Sequence, residues 1–486
     1  MNKHKNSIRN WAWLMIFCLS SLSIGLQAQS LEEARTMISE KDYAAAEKAF
    51  EHLITKYKSR ADVNKWYGEA LFETGQYTKA KPYLTFAAKR RILGAYNYLA
   101  QIAYLEYNFE EAAAHYDRYK KALRKGSSFI PVVDSMKHLV ALNKKALQSV
   151  ERVIFIDSIV VDKKTFFTHY NLGTESGKLH ARKDAYAEGT PLERGVLFES
   201  QRKDKLFYSK ANEGNGFDIY EQSKLLGDQW SPEKALPAQI NTAYNEAFPY
   251  MLTDGATIYY GSNQPGGLGG YDLYITRYNA STGAYFRPEH LSMPFNSPYN
   301  DYMLAIDEIN QVGWFATDRF QPKDKVVIYL FIAEPGQKDY YADLSPEQQL
   351  RAARIASIKE TWETGQNYRQ LLQTIYNQAN EVVAKEKSLH FVINDQIVYH
   401  TEQDFRSKEA RTQLELAQKS EQDYVDTTDR LDQLRFEWTK ADASGKNSLR
   451  PQILQLEQKT TTLQQQIATY KKNARRIEIE MLRKQQ

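Results

Sequence analysis

Cysteine is almost absent from this sequence, which has a single one, Cys18, among 486 residues. Cys18 lies in an apolar N-terminal segment, so residues 29–486 contain no cysteine. This excludes disulfide bonds, thiol catalysis and cysteine-ligated zinc from that part of the chain.

Known catalytic motifs are also missing. The sequence has no H-E-x-x-H motif, no G-x-S-x-G nucleophile motif and no G-x-x-x-x-G-K-[ST] phosphate loop. The histidines that follow residue 28 form no group with the spacing of zinc ligands. We therefore expect no catalytic residue, no cofactor and no metal site, and we predict that the protein is not an enzyme.

Charge of one sign is not in large excess. Lysine and arginine total 64 against 60 acidic residues, a net charge of +4. Lys3, Lys5 and Arg9 account for three of these charges, so the chain without them carries +1. The composition gives no electrostatic reason to expect a nucleic-acid partner.

The only long apolar run is at the N-terminus, in residues 11–26. It follows the three basic residues and precedes Ala28, which is typical of a cleavable secretory signal. A membrane anchor is the alternative, but a spanning helix needs about 20 apolar residues and this run is shorter. We predict a signal peptide at residues 1–28 and export to the periplasm.

Residues 30–150 contain a helical pattern that repeats. Tyr43, Tyr77 and Phe109 are separated by 34 and 32 residues, and each has an alanine three positions later, at Ala46, Ala80 and Ala112. In the middle unit, Gly68 precedes Tyr77. Small residues at fixed positions allow paired helices to approach closely. The pattern predicts three helix pairs, with a capping helix near residues 129–150.

Residues 151–340 change to short strand-like segments and contain a second repeat. The motif has a glycine-rich turn, an Asp-x-Tyr strand and an Asn-x-x-Tyr-Asn loop. Its two clear copies are 54 to 55 positions apart and include Asp218, Tyr220 and Asn245 in the first, and Gly269, Gly270, Asp272, Tyr274 and Asn300 in the second. A third, degenerate copy ends at Val327-Ile-Tyr329.

These motif residues suggest structural roles. We expect the aspartates to accept hydrogen bonds from backbone amides in the turn, and the asparagines to form turns. We expect the glycines to supply positive φ. Calcium binding by Asp218 and Asp272 is the alternative, but one aspartate per repeat does not by itself assemble a calcium site.

The N-terminal units resemble tetratricopeptide repeats, and residues 262–274 closely resemble the PD40, or WD40-like, propeller repeat of TolB-type envelope proteins. Their order after a signal resembles a family of periplasmic envelope proteins. Members often end in an OmpA-type peptidoglycan-binding domain, and some are associated with type IX secretion. The resemblance implies an α-solenoid followed by a β-propeller. Three to four units are too few for an ordinary closed ring, so the propeller is partial or is completed by residues 153–161, by residues 389–399 or by another protein.

The C-terminal part departs from that family. Residues 341–406 predict a helix and a β-hairpin, and residues 407–486 carry two runs of heptads. Residues 442–447 contain Gly445 and are expected to break the helix, giving an antiparallel coiled-coil hairpin instead of the OmpA-type domain. The predicted class is therefore a multidomain α+β protein.

Taken together, the sequence predicts a periplasmic scaffold associated with the outer membrane through its partners. Envelope proteins would bind the groove of the helical array and the coiled-coil arm. The alternative is a ligand-binding or sensing propeller that recognises glycan, peptide or cell-wall fragments, with Trp230, Tyr271 and Tyr285 at one rim.

Overall fold

The computed structural model describes residues 30–182, 195–211, 216–226, 229–333, 340–341, 344–363, 365–386, 391–394 and 397–484. The predicted signal peptide and the first copy of the glycine-rich turn, residues 212–215, lie outside these ranges. The chain divides into two compact units at Tyr376, and each is described by itself.

The first unit begins with a helical region of seven helices, as the sequence predicts. They are α1 (Leu31–Ser39), α2 (Tyr43–Lys56), α3 (Ala61–Glu73), α4 (Tyr77–Lys89), α5 (Leu93–Leu105), α6 (Phe109–Ala122) and α7 (Phe129–Ala146). Linkers of a few residues join successive helices, so neighbours pack as helical hairpins.

The turn within each helix pair has the same backbone geometry. Lys41, Gly75 and Tyr107 precede the second helix of their pairs and have positive φ angles of 62°, 82° and 62°. Asp42 and Asn108 then cap α2 and α6 with their side-chain oxygens. A left-handed residue followed by a cap ends one helix and begins the next.

Small residues set the spacing inside the pairs. A Cβ atom at Gly68 would lie 2.6 Å from Cγ of Leu84, so α3 and α4 meet where glycine leaves room. Ala80 and Ala112 are fully buried. Tyr77 is half-buried, and its ring centroid lies 5.2 Å from that of Phe72.

Three antiparallel sheets follow the helices. The first contains β2 (Lys178–Arg182), β3 (Gly195–Glu199), β4 (Lys205–Ala211), β5 (Phe217–Ser223) and β6 (Lys234–Ala235). The second contains β7 (Glu246–Met251), β8 (Thr257–Ser262), β9 (Asp272–Asn279), β10 (Ala284–Tyr285) and β11 (Glu289–His290). The third contains β1 (Phe155–Asp162), β12 (Asp301–Asp307), β13 (Val312–Thr317) and β14 (Lys325–Ile332).

The same aromatic pair recurs in all three sheets. The motif tyrosine lies opposite an aromatic residue of the preceding strand, and the two rings stack. The pairs are Tyr208 with Tyr220, Tyr260 with Tyr274, and Phe315 with Tyr329, with centroids 6.3, 5.8 and 5.4 Å apart. The sequence period is therefore a structural period, and its degenerate third copy forms a sheet like the others.

The described strands do not form a closed propeller. The third sheet takes its outer strand from the start of the region, because β1 pairs with β14 from Phe155 to Asp162. The polar residues Asp157 and Ser158 lie within this one continuous strand. A hydrophobic core that includes Phe198, Tyr260 and Trp314 joins the three sheets, and a second core joins the second and third sheets.

The first unit ends with helical segments. Helix α8 (Pro346–Ala353) begins as predicted, with Ser345 and Gln348 forming a reciprocal capping box. Helix α9 (Arg369–Glu386) begins in this unit, where Ile375 is buried in the core of the sheets.

The second unit contains a two-stranded sheet and a pair of long helices. Strands β15 (Phe391–Asn394) and β16 (Ile397–Tyr399) pair with each other, so they do not extend the three-sheet array. Helices α10 (Lys408–Lys440) and α11 (Ala443–Lys484) pack along their length. The break between them is shorter than expected, since Asp442 caps the amide of Gly445 and helix α11 includes that glycine.

Glu478 anchors the base of this helix pair. Its carboxylate is fully buried on α11 and accepts hydrogen bonds from the amides of Arg406 and Ser407, at the start of α10, and from the hydroxyl of Tyr399. The charge favours a helix N-terminus, where backbone amides lack partners.

Candidate functional site

Asp272 organises the glycine-rich turn of the second repeat. Its fully buried Oδ2 accepts hydrogen bonds from the amides of Leu268, at 3.0 Å, and Gly269, at 3.1 Å. Oδ1 lies 3.4 Å from Nε2 of His290, too oblique for a formal hydrogen bond but close enough for electrostatic attraction. Burial raises the pKa of Asp272, and His290 opposes that shift.

The glycines of this turn serve a different purpose from the one we expected. Among residues 266–270 only Gly266 has a positive φ, of 97°. A Cβ atom at Gly269 would overlap with the carbonyl of Tyr299, and one at Gly270 would overlap with Oδ1 of Asn300. These two glycines are required because the turn passes against the Asn-x-x-Tyr-Asn loop.

Asn300 joins that loop to its neighbours. Its Oδ1 accepts a hydrogen bond from the amide of Tyr271, and its Nδ2 donates to Asp318. Asp318 also accepts a hydrogen bond from the amide of Asn300. In the first repeat, Asn245 has the equivalent partner, since its amide donates to Oδ1 of Asn263.

The first asparagine of each Asn-x-x-Tyr-Asn motif, Asn241 or Asn296, is buried and begins the loop. Asn241 bonds to the amide and carbonyl of Ile219 and to the carbonyl of Leu236. Asn296 makes the same three bonds with Leu273 and Leu291. Each asparagine ties the Asp-x-Tyr strand to the chain that follows it.

A buried acid follows each loop and accepts a hydroxyl hydrogen bond. Glu246 accepts from Thr242 and Ser262, both at 2.7 Å. Asp301 accepts from Ser297, at 2.8 Å. The printed sequence contains this signal, because Asn-Thr-Ala-Tyr-Asn-Glu and Asn-Ser-Pro-Tyr-Asn-Asp extend the motif by one acidic position.

Asp301 also has a cationic partner. Nη2 of Arg319 lies 2.7 Å from Asp301 Oδ1, and both side chains are fully buried. The guanidinium also donates to the carbonyls of Phe295 and of Ala353, at the end of α8. The pair therefore connects the second repeat to a helix far along the chain.

The second-repeat loops dock on the helical region. The carbonyl of Leu268 accepts hydrogen bonds from the hydroxyl of Tyr104 on α5 and from Nδ2 of Asn143 on α7. The hydroxyl of Tyr299 donates to the carbonyl of Leu105, at 3.2 Å. Tyr244 occupies the same position in the Asn-x-x-Tyr-Asn loop of the first repeat, but it is 44% exposed. Of these two loop tyrosines, only Tyr299 holds the helices.

The remaining motif residues of the first repeat lie in and beside β5. Asp218 is half-buried and pairs across the sheet with Lys210, and Tyr220 stacks on Tyr208. The two motif aspartates, Asp218 and Asp272, are on strands of different sheets.

The first helices of the three pairs present a surface that we call the first-helix face. It comprises side chains that make contacts with one another across α1, α3 and α5, namely Arg35, Lys65, Trp66, Glu69, Phe72, Glu73 and Tyr98. The Tyr98 hydroxyl donates to Glu69, which also pairs with Lys65. Phe72 packs on Tyr98 with centroids 5.1 Å apart.

Electrostatics and partial exposure distinguish this face. The guanidinium of Arg35 lies 5.5 Å from the ring of Trp66, and Trp66, Phe72 and Tyr98 are each only partly buried. Burial raises the pKa of Glu73, and the nearby charge of Glu69 adds to the shift. The face thus combines aromatic surface with an acidic pair.

The helix pair of the second unit presents another surface. Leu431 and Leu434 are buried in its seam, and the polar seam residues Ser420 and Thr427 bond to carbonyls of their own helix. Near the connection between the two helices, Trp438 is 40% exposed.

No group of three or more histidine, cysteine or acidic residues in the described ranges has the arrangement needed to hold a metal ion. The described helices include none with the length and apolar character required to cross a membrane.

Comparisons with protein-family models, with curated proteins and with solved structures give no match to this chain.

Proposed function

We propose that this protein is a non-enzymatic scaffold of the periplasm, associated with an outer-membrane assembly through proteins that it binds. In this proposal the seven helices are a tetratricopeptide array with a cap, and the three sheets are PD40-like blades in an open arrangement. Residues 1–28 direct export and are removed. The likeness of the motifs to those of periplasmic envelope proteins supports this assignment.

The first-helix face is the observation that carries the proposal. It brings Trp66, Phe72 and Tyr98 together on adjacent helices, all partly exposed. Aromatic and arginine side chains contribute most of the binding energy at protein interfaces, and they do so where a rigid scaffold holds them. Here the contacts with Arg35 and Glu69 fix their positions before a partner arrives.

The sheets are a rigid support in this proposal. The carbonyl of Leu268 is bound by two helices, and Arg319 is bound to Asp301 inside the same loops. Since both attachments are buried, the helical array and the sheets hold a fixed relation. A fixed relation suits a protein that aligns several partners.

The C-terminal helix pair supplies a second binding surface. Trp438 lies two residues before the end of α10, and the ammonium of Lys446 lies 5.0 Å from its ring. An exposed tryptophan at the connection of two long helices is typical of an arm that contacts another protein.

The test is capture of partners from envelopes with a matched pair of variants. Tagged protein is cross-linked in intact cell envelopes, and the cross-linked sites are identified by mass spectrometry. We expect cross-links to envelope proteins on α1, α3 and α5, and we expect the double substitution Trp66→Ala and Phe72→Ala to remove them.

Phe86→Ala is the control, because Phe86 is a half-buried aromatic residue on α4, outside the first-helix face. Its cross-links should match those of the unmodified protein, and circular dichroism should show all variants folded. Recovery of no envelope protein, or equal capture by the double variant, would count against the scaffold. Labelling by a hydrolase-directed probe would contradict its non-enzymatic nature.

The alternative function, a glycan- or peptide-binding rim, loses one of its proposed aromatic residues. Tyr271 is 7% exposed and lies between Phe248 and Tyr302, with ring centroids about 6 Å away. A ring buried in this way has no face left for stacking on a sugar.

A further inference from the structure

A small pocket lies where the first two sheets meet. Its volume is about 160 Å³. One wall is formed between the end of β3 and the start of β4, by Ser200, Gln201, Arg202, Asp204 and Lys205. Residues 251–255, from the end of β7 onwards, form the other wall. Ser176 and Phe198 complete the lining. The pocket is separate from the first-helix face.

Ser176 contributes to this lining a hydroxyl group that has no hydrogen-bond partner among the described residues. The residue is 1% exposed, and its Oγ has no hydrogen-bond partner within the described ranges. The adjacent hydroxyl of Tyr250 donates to the carbonyl of Ser176 instead. Buried hydroxyl groups nearly always have a partner, so an unmet one that borders a cavity indicates a group supplied from outside.

Charged groups on the same wall are also available. In the described part of the chain, Arg202 and Lys205 make no side-chain hydrogen bond or ion pair. Asp204 uses Oδ1 to accept from Ser200 and has Oδ2 left over. The pocket therefore offers two cations, one carboxylate oxygen and one hydroxyl.

The other polar residues of the lining are occupied by the fold. Asp254 accepts hydrogen bonds from the amides of Ala256 and Thr257 and from the Thr257 hydroxyl. Ser200 accepts from the amides of Asp204 and Lys205 while it donates to Asp204. These bonds shape the two turns, and they leave the free groups concentrated on the wall that carries residues 202–205.

We infer that this pocket binds a zwitterionic α-amino acid with a short apolar side chain. The carboxylate meets Arg202 and Lys205 and accepts a hydrogen bond from the Ser176 hydroxyl. The ammonium meets Asp204, and the side chain contacts Phe198 and Met251. Arg202 is exposed, whereas Asp204 and Lys205 are half-buried. A simple anion would bring a second negative charge close to the Asp204 carboxylate, whereas a zwitterion matches charges of both signs.

The size of the pocket agrees with this class of ligand. An apolar cavity of about 150 Å³ holds one benzene molecule, whereas pockets for drug-sized ligands begin at about 300 Å³. An amino acid such as valine is of the former size. Its expected dissociation constant is about 1 mM or tighter, because few atoms are available for contact.

The test is isothermal titration calorimetry of the full mature chain with L-alanine, L-valine and L-leucine. We expect at least one of them to bind. Two analogues of that amino acid are then titrated: its amide, which lacks the carboxylate, and the corresponding carboxylic acid, which lacks the ammonium. Each analogue should bind at least about tenfold more weakly than the amino acid. Failure of all three amino acids to bind would overturn the inference, as would analogues that bind equally well.

Variants locate the site. Arg202→Gln should weaken binding about tenfold, and Ser176→Ala about threefold. Lys203→Gln is the control, because Lys203 is in the same turn but does not line the pocket. Binding that is unchanged in Arg202→Gln and Ser176→Ala, or weakened equally in Lys203→Gln, would exclude this pocket. Neither variant touches the first-helix face, so these results are independent of partner capture.

Discussion

The first and second repeats of the sheet region share one hydrogen-bonding frame, but only the second pairs its buried acid with a buried cation. Asn241 and Asn296 make the same three bonds in their repeats, and a buried acid follows each loop. In the second repeat that acid, Asp301, is paired with Arg319. The first repeat has Gln264 at the position of Arg319.

This difference separates what forms a repeat from what attaches it. In each repeat the asparagine and the acid make hydrogen bonds within the repeat, and these bonds do not depend on the elements packed against it. The arginine appears only in the repeat whose loops meet the helices, and it reaches the carbonyl of Ala353 on α8. The two repeats therefore share their internal bonds, and the second has an external one as well.

Removal of the arginine should have the largest effect. Arg319→Ala leaves the fully buried Asp301 carboxylate without its cation, which should lower the free energy of unfolding by about 3–5 kcal/mol. Gln264→Ala should cost less than about 1 kcal/mol, because no buried charge depends on it. Urea unfolding followed by tryptophan fluorescence can measure both, since Trp314 is buried in the third sheet. Equal losses would show that the two positions do not differ in role.

Removal of the shared asparagines should cost the two repeats similar amounts. Asn241→Ala and Asn296→Ala each leave three buried backbone groups without a partner, at an expected cost of about 2–4 kcal/mol in the free energy of unfolding. Asn279→Ala is the matched control, because Asn279 ends β9 and its side chain accepts an exposed hydrogen bond from the amide of Ser281. This change should cost less than about 1 kcal/mol. A large loss in only one repeat would mean that the frame is not shared.

The buried acids predict a dependence on pH. Burial raises the pKa of Asp301 from 3.8 to about 6, against the opposing effect of Arg319. Because the folded state binds this proton more tightly than the unfolded state, the contribution of Asp301 to stability is greatest below about pH 4 and declines as the pH rises to about 6.

We expect the unmodified chain to lose about 1–3 kcal/mol of unfolding free energy between pH 4 and pH 7 relative to Asp301→Asn. Burial also raises the pKa of Glu246, so a comparison with Glu246→Gln should show a difference of the same sign. Stability curves that run parallel to those of the variants would contradict the assignment.

The smallest effect extends the comparison to the helix pairs. Lys41 has a φ of 62° at the position that Gly75 occupies in the next pair. Lys41→Gly should relieve the left-handed strain and raise the free energy of unfolding by up to about 1 kcal/mol, while Gly75→Ala should lower it by about the same amount. Thermal unfolding of the two variants measures both, and a loss in Lys41→Gly would show that the lysine side chain contributes more than the strain.

The repeated elements were visible in the sequence because their signals are local. The tyrosine of each Asp-x-Tyr strand recurs at a fixed distance, and the structure stacks it in every sheet. Helix pairs likewise follow from the alternation of Gly68, Ala80 and their larger neighbours. Patterns that arise within one strand or one helix pair need no knowledge of the rest of the fold.

Other features depend on residues that are distant in sequence. Gly269 and Gly266 are the same amino acid, yet one allows close approach and the other positive φ, and only the position of Tyr299 distinguishes them. Arg319 could not be matched to Asp301 without the three-dimensional arrangement. The sequence predicts a break over residues 442–447, but the aspartate cap at Asp442 decides where α11 begins, and the helix includes Gly445.

The pairing of β1 with β14 has a consequence for how the chain must fold. Val161 pairs with Val326, so the first strand of the sheet region cannot pair until nearly all of that region has been synthesised. Such distant pairing slows folding and prolongs the exposure of strand edges. A fragment that begins after Asp162 would leave β14 with an open edge, ready to pair with another chain.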